Sequence, residues 1–296
     1  MTAAIDAAYA ACEQTARAHY ENFPVASVLL PAAMRRHVAA VYAFARAADD
    51  FADEGERSDE QRICLLDSWQ GRLRRAVNND LQPASVDGEP DNAPVIFQAL
   101  AHTIRECSLP PQLLEDLLSA FKQDVTVHRY PNWETLFDYA RRSANPVGRL
   151  VLRIAGYRTG SLDAWSDSIC TGLQFTNFWQ DFSQDFARGR VYLPQSELAQ
   201  HGATVVKLSA GEESAATRRA LRQALARTRQ LFVEGRPLCD VVTGRLRYEL
   251  RATWLGGMRI LDCLERQLAA ERFARPSLQL RDTPWFAWRL LTWVPQ

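Results

Sequence analysis

Apolar residues recur along most of the chain at the i, i+3, i+4 spacing of amphipathic helices, as in Leu221, Leu225, Thr228, Leu231 and Phe232. Proline and glycine divide this pattern into stretches at 32–53, 57–80, 95–108, 111–128, 133–157, 162–187, 212–235, 238–273 and a short one near 285–293. Good helix formers (Ala, Leu, Arg, Glu, Gln) fill them. No alternating run of β-branched residues lies between turn signals, so the pattern predicts an all-α fold. Pro146 falls inside the 133–157 stretch and predicts a kink there. The polar, Pro-rich segment 81–94 reads as a surface loop, not a linker, because candidate site residues lie on both sides of it. We therefore expect one domain over 1–296.

Composition narrows the function. The 35 basic residues balance 35 acidic ones, which argues against a general nucleic-acid binder and leaves no nucleic-acid partner expected. Lys122 and Lys207 are the only lysines. That arginine surplus reflects nucleotide bias first, and it also suits phosphate recognition. Six scattered cysteines without a C-x-x-C pair, and no signal-like N-terminus or long apolar run, predict reduced thiols in the cytoplasm.

Two acidic faces carry the candidate chemistry. Asp49 and Asp53 stand at i, i+4 near the end of the 32–53 helix, with Arg46 and Tyr42 on the same face. Like charges at this spacing repel, so such a helix must gain something elsewhere, and a divalent cation is the simplest candidate. Gln174, Asn177, Asp181 and Asp185, spaced 3, 4 and 4, line one stripe of a helix otherwise rich in Phe and Trp. A basic loop with a glycine, Arg188-Gly189-Arg190, follows it and suits phosphate oxygens. Hard oxygen donors on two faces fit Mg2+ shared with substrate phosphates. The chemistry is activation of a diphosphate leaving group on a hydrocarbon, in a dry aromatic pocket that shields a carbocation. A solvated face is the bland alternative for either cluster alone.

With Leu29-Leu30-Pro31, the Tyr42–Asp53 and Gln174–Asp185 segments and the Arg188–Pro194 tail, the chain resembles the squalene/phytoene synthase family of head-to-head prenyl synthases, from about residue 15 to 270. Within it, the segments His19–Ser27 and Ser143–Gly148 look most like bacterial hydroxysqualene synthases of hopanoid pathways. Asn145-Pro146 and Gln180 depart from the wider family pattern. The resemblance implies a single-domain isoprenoid synthase bundle around a central apolar cavity. It implies a Mg2+-dependent enzyme, without NADPH, that ionises presqualene diphosphate and quenches the rearranged cation with water to give hydroxysqualene. Condensation of two farnesyl diphosphates to presqualene diphosphate or squalene is the alternative. A non-catalytic scaffold is the alternative of another class. Carried over by residue, Asp49, Asp53, Asn177, Asp181 and Asp185 bind the metal. Arg46, Arg188 and Tyr192 hold diphosphate, with His19 near it, and Phe23, Tyr42, Tyr139, Gly148 and Gln174 line the pocket. Channelling with neighbouring pathway enzymes is a further expectation.

The remaining candidates read as structural. The histidines at 19, 37, 102, 128 and 201 lack zinc spacing, and Glu249, Arg247 and Arg251 read as salt-bridged surface positions. The tail 284–293 holds three of the eight tryptophans and one arginine. It has two equal readings: a helix packed on the bundle, or a peripheral contact with the inner membrane face.

Overall fold

The computed structural model describes residues 2–18, 29–81, 85, 87–205, 215–270, 275–279 and 282–294. Fourteen helices are present among the described residues: α1 (Thr2–Ala18), α2 (Ala32–Asp53), α3 (Asp59–Val77), α4 (Ala93–Glu106), α5 (Pro111–Thr126), α6 (Trp133–Ser143), α7 (Asn145–Ile154), α8 (Gly160–Gln180), α9 (Phe182–Ala187), α10 (Gln195–Gln200), α11 (Ala215–Gly235), α12 (Leu238–Val241), α13 (Gly244–Ala269) and α14 (Thr283–Leu291). There is no strand among them, only an isolated bridge between Arg129 and Val191, so the all-α expectation holds. No described helix is long and apolar enough to cross a membrane. The chain forms two compact units, Met1–Thr126 with Pro146–Thr159, and Val127–Asn145 with Gly160–Gln296.

In the first unit α2 packs against α1, α3, α4 and α5. Its alanines at 39, 40, 43, 47, 48 and 52 are buried, and such small side chains let neighbours approach from several sides. Phe44 and Phe51 meet Trp69 of α3, whose ring also lies 4.5 Å from Phe97 of α4. The Trp69 indole N–H donates to the Phe44 carbonyl at 3.2 Å, so the ring's one polar group is satisfied. The described part of the Pro-rich segment lies within this unit, and its last two residues begin α4. Glu89 in it is buried against Arg72 at 2.8 Å and accepts from Ser68.

In the second unit α8 packs against α11 and α13. Phe232 of α11 wedges between the glycines of its neighbours. A Cβ at Gly172 would meet its ring at 3.1 Å and one at Gly257 at 2.4 Å, so only glycine admits it. Trp179 donates to Thr228 at 2.8 Å and Trp254 to the Phe232 carbonyl at 2.7 Å.

Several expected elements differ. The 162–187 stretch breaks at Asp181 (φ −97°, ψ 10°), and 133–157 breaks at Ala144 (φ −114°, ψ −48°), one residue before the pair that contains Pro146. The 238–273 stretch divides before Gly244, whose φ of 65° suits glycine alone. Helix α1 is absent from the sequence expectation, because its buried face (Ala8, Tyr9, Cys12, Ala16) has little hydrophobic contrast. Glu249 and Arg251 are not surface positions but buried. Arg251 donates to the Cys239 carbonyl at 3.1 Å, contacts Asp240 and stacks on Trp293, so its charge is compensated inside.

A polar cluster joins α1, α2 and α4. The Tyr9 hydroxyl lies 3.1 Å from His37 Nδ1, 2.9 Å from His102 Nδ1 and 2.9 Å from the Thr103 hydroxyl. Burial, then the charges of Arg36 and His102, lowers the pKa of His37 from 6.5. An imidazole depressed in the fold stabilises it above the unfolded value and loses that contribution as pH falls through 6.5. Urea midpoints should therefore drop between neutral and mildly acidic pH, and His37→Gln should flatten that drop; equal slopes in both proteins would refute this. Tyr9→Phe should cost about 1–2 kcal/mol at neutral pH.

Candidate active site

In the first unit the acidic face ends α2. Arg46 reaches Asp49 at 3.2 Å, Asp50 at 2.6 Å and Glu54 at 2.6 Å. Burial works against the charge of Arg46, and Asp50, Asp49 and Glu54 more than offset it. Its Nε is buried with no hydrogen-bond partner among the described residues. The Asp49 side chain retains 42% of its surface, yet crowding by protein, then repulsion from Asp53, raises its pKa to about 6. Such a raised carboxyl marks a place where added positive charge stabilises the ionised form. The Tyr42 hydroxyl, raised by burial, lies in the same field of Arg46 and Asp49.

The end of α2 is held by a residue that spacing within the motif could not reveal. Arg62 of α3 donates to the carbonyls of Phe51 (3.1 Å), Ala52 (2.9 Å), Glu54 (3.1 Å) and Gly55 (2.8 Å). Cations are favoured at such a C-terminus, where carbonyls lack helical partners. Gly148 also belongs to this unit, half-buried on α7.

In the second unit the stripe expected on one continuous helix survives the break at Asp181. The Asp181 N–H still donates to Asn177 and the Asp185 N–H to Asp181, both at 2.8 Å, so helical hydrogen bonding runs across the kink. Asn177 is exposed, Gln174, Asp181 and Asp185 half-buried. Arg275, 94 residues away, forms an ion pair with Asp181. Gln180 Nε2 donates to the neighbouring Pro276 carbonyl at 2.5 Å, so two contacts staple this segment to the end of α8.

Aromatic rings line the same stripe below the acids. Phe178 stacks on Tyr192 at 3.7 Å between centroids and 4° between planes. Tyr139 lies 6.2 Å from Phe178 and 6.4 Å from Tyr192, and Tyr130 stacks on Tyr192 at 5.8 Å. The Val191 N–H donates to His128 at 2.8 Å and the Gln195 N–H to Tyr130 at 2.9 Å, which fixes the 191–195 segment beside residues 128–130. Arg188 caps α9 through its own N–H and is exposed. The structure thus brings Tyr139, Gln174, Asp181, Asp185, Arg188 and Tyr192 into one unit and Tyr42, Arg46, Asp49, Asp53 and Gly148 into the other. His19 and Phe23 lie outside the described residues.

Among the described residues no three His, Cys, Asp or Glu side chains form a closed metal cage. A cation that takes one or two carboxylates, with substrate phosphate and water, needs none. The oxygen-only donors and the strained carboxyl of Asp49 fit such an ion.

A model of the squalene/phytoene synthase family matches residues 16–282. The chain belongs to the squalene/phytoene synthase family. It is 35% identical over 247 residues to a hydroxysqualene synthase of Rhodopseudomonas palustris, covering 83% of this chain and 80% of that one. With a hydroxysqualene synthase of Zymomonas mobilis it shares 37% identity over 215 residues, 72% of this chain and 67% of that one. The crystal structure of squalene synthase HpnC from Alicyclobacillus acidocaldarius superimposes with a TM-score of 0.80 at 38% identity, covering 90% of this chain and 95% of that one. The fold is therefore the all-α isoprenoid synthase fold.

Removing the Arg62 cap should loosen the end of α2 before anything else. Arg62→Ala is expected to cost about 1–2 kcal/mol in urea denaturation. Faster amide exchange confined to residues 50–55 is the accompanying signature; uniform protection would contradict the capping role.

Proposed function

We propose that the protein converts presqualene diphosphate to hydroxysqualene with Mg2+ and without a nicotinamide cofactor. The observation that carries this is the second-unit stripe: an acid pair, Asp181 and Asp185, stands above a wall made by Phe178, Tyr139 and Tyr192. A charged head with a hydrocarbon tail fits that sequence of surfaces, and the hydroxysqualene synthases among its relatives narrow the substrate.

In this reading Asp49 and Asp53 in one unit, and Asn177, Asp181 and Asp185 in the other, would hold magnesium, which supplies charge neutralisation for the diphosphate. Arg46, through its unused Nε, and Arg188 bind diphosphate oxygens, and Tyr42 adds a donor. The faces of Phe178, Tyr139 and Tyr192 carry the electron density that favours a nearby cation. They also exclude bulk water. The substrate's carbon–oxygen bond breaks, the cyclopropylcarbinyl cation rearranges, and one water adds. The proton released passes to the departed diphosphate.

Purified protein with presqualene diphosphate and magnesium, without NADPH, should yield hydroxysqualene by mass spectrometry, and chelation should abolish it. Asp181→Ala should lower turnover by at least about 100-fold. Presqualene diphosphate accumulating from farnesyl diphosphate would move the assignment to the condensing step. Turnover unaffected by Asp181→Ala would remove Asp181 from the metal site, and no metal-dependent product from either diphosphate would favour a scaffold.

The tail supports a lipid contact for the apolar product. Trp288, Leu291 and Val294 are 65%, 85% and 71% exposed, while Trp285 and Trp293 face arginines of the unit. An exposed apolar helix edge with tryptophan and a flanking arginine is an interfacial pattern. The double variant Trp288→Ser/Leu291→Ser should lose co-sedimentation with phosphatidylcholine/phosphatidylglycerol vesicles; retained binding would end this reading.

A further inference from the structure

The Ser143 hydroxyl is buried and has no hydrogen-bond partner among the described residues. A helical serine ordinarily turns its hydroxyl back to the carbonyl four residues earlier. Here that bond is not made, at the last residue of α6 before the chain breaks at Ala144. A buried hydroxyl without a protein partner is a place for an ordered water or a substrate group.

The contacts of α6 locate it. Trp133 lies beside Trp179 and Phe137 beside Phe175, so α6 runs antiparallel to α8, and the Tyr139 ring reaches back to Phe178. Just past the break, Asn145 is buried and its Oδ1 accepts from the Thr171 hydroxyl of α8 at 2.8 Å. Ser143 lies between those two fixed levels, one turn beyond Tyr139 on the same face of α6. Its level on α8 is therefore the turn between Thr171 and Gln174, one turn below Phe178. Because Asn145 Oδ1 is engaged by Thr171, its amide N–H2 remains as the donor end of the group. The Ser143 hydroxyl and the amides of Asn145 and Gln174 thus fall within about one helical turn of each other along the α6–α8 seam.

We propose that Ser143 positions, with Asn145 and Gln174, the water that becomes the hydroxyl of the product. This rests on the reading of the protein as a hydroxysqualene-forming enzyme. The held water's oxygen forms a bond to the cationic carbon, and the proton it sheds goes to the diphosphate already released. No oxidant or reductant is needed. Without that water the same cation loses a proton from the adjacent carbon to diphosphate, a carbon–carbon double bond forms, and the product is lighter by one water. Ser143 is thus a positioning residue that selects alcohol over alkene.

The test is the partition between hydroxysqualene and the dehydrated C30 hydrocarbon made from presqualene diphosphate with magnesium, read by mass spectrometry. This ratio does not depend on how much of a variant is folded. Ser143→Ala should raise the hydrocarbon fraction about fivefold, the worth of one buried hydrogen bond. Ser143→Thr, which keeps the hydroxyl, should restore the wild-type ratio, and Ser143→Val, its isostere, should not. An unchanged ratio in Ser143→Ala, or equal ratios in the Thr and Val variants, overturns the inference alone. A wild-type protein that makes no alcohol overturns the functional reading beneath it.

Discussion

Two carboxylates one helical turn apart repel each other, and both acidic segments of this protein are built around that repulsion. On α2 the pair Asp49 and Asp53 is joined by Asp50 and Glu54, and Arg46 answers three of the four. Burial first, then repulsion from Asp53, still raises the carboxyl of Asp49 to about 6. On α8 and α9 the partner of Asp181 is Arg275. The α2 segment therefore presents a carboxylate pair in which one carboxyl is raised above its ordinary range, a state that added positive charge relieves.

The supporting structure follows from holding those pairs at helix ends. Arg62 gathers four carbonyls at the close of α2, so the last turn, where Asp53 lies, is kept from fraying. The break at Asp181 does the corresponding work on α8. The backbone bends without losing the hydrogen bonds from Asp181 and Asp185, so the acids keep their stripe while the chain turns into α9 and the basic loop. Beneath them the contact of Phe232 with two glycines lets α8, α11 and α13 approach closely. That close packing is what makes α8 a rigid wall for the rings stacked on Tyr192.

Polar groups in the interior fall into two kinds. Tyr9, His37, His102 and Thr103 satisfy one another, and Glu89 is matched by Arg72; these specify how helices of the first unit meet. Ser143 belongs to the other kind, a buried hydroxyl without a hydrogen-bond partner among the described residues. Two residues on, the Asn145 Oδ1 accepts from Thr171, which leaves the Asn145 amide N–H2 as a donor.

Much of this was legible in the residues. Helix α2 matches its expected bounds of 32–53, and both aspartate faces follow from i, i+4 spacing, a local property of any helix. The kink before Pro146 was likewise readable, because the ring's clash is with its own chain. What spacing could not supply was long-range pairing. Arg275 with Asp181, Arg62 with the end of α2 and the burial of Glu249 and Arg251 depend on which helices pack together, and a chain carrying 33 arginines offers many equivalent partners. Helix α1 escaped for the opposite reason: its small buried residues carry too little contrast to mark a face. Local periodicity therefore determined the helices and the spacing of the acidic residues along them. Only tertiary packing decided which charges are compensated and which polar group is left open, because those are differences between contacts that the unfolded chain does not make.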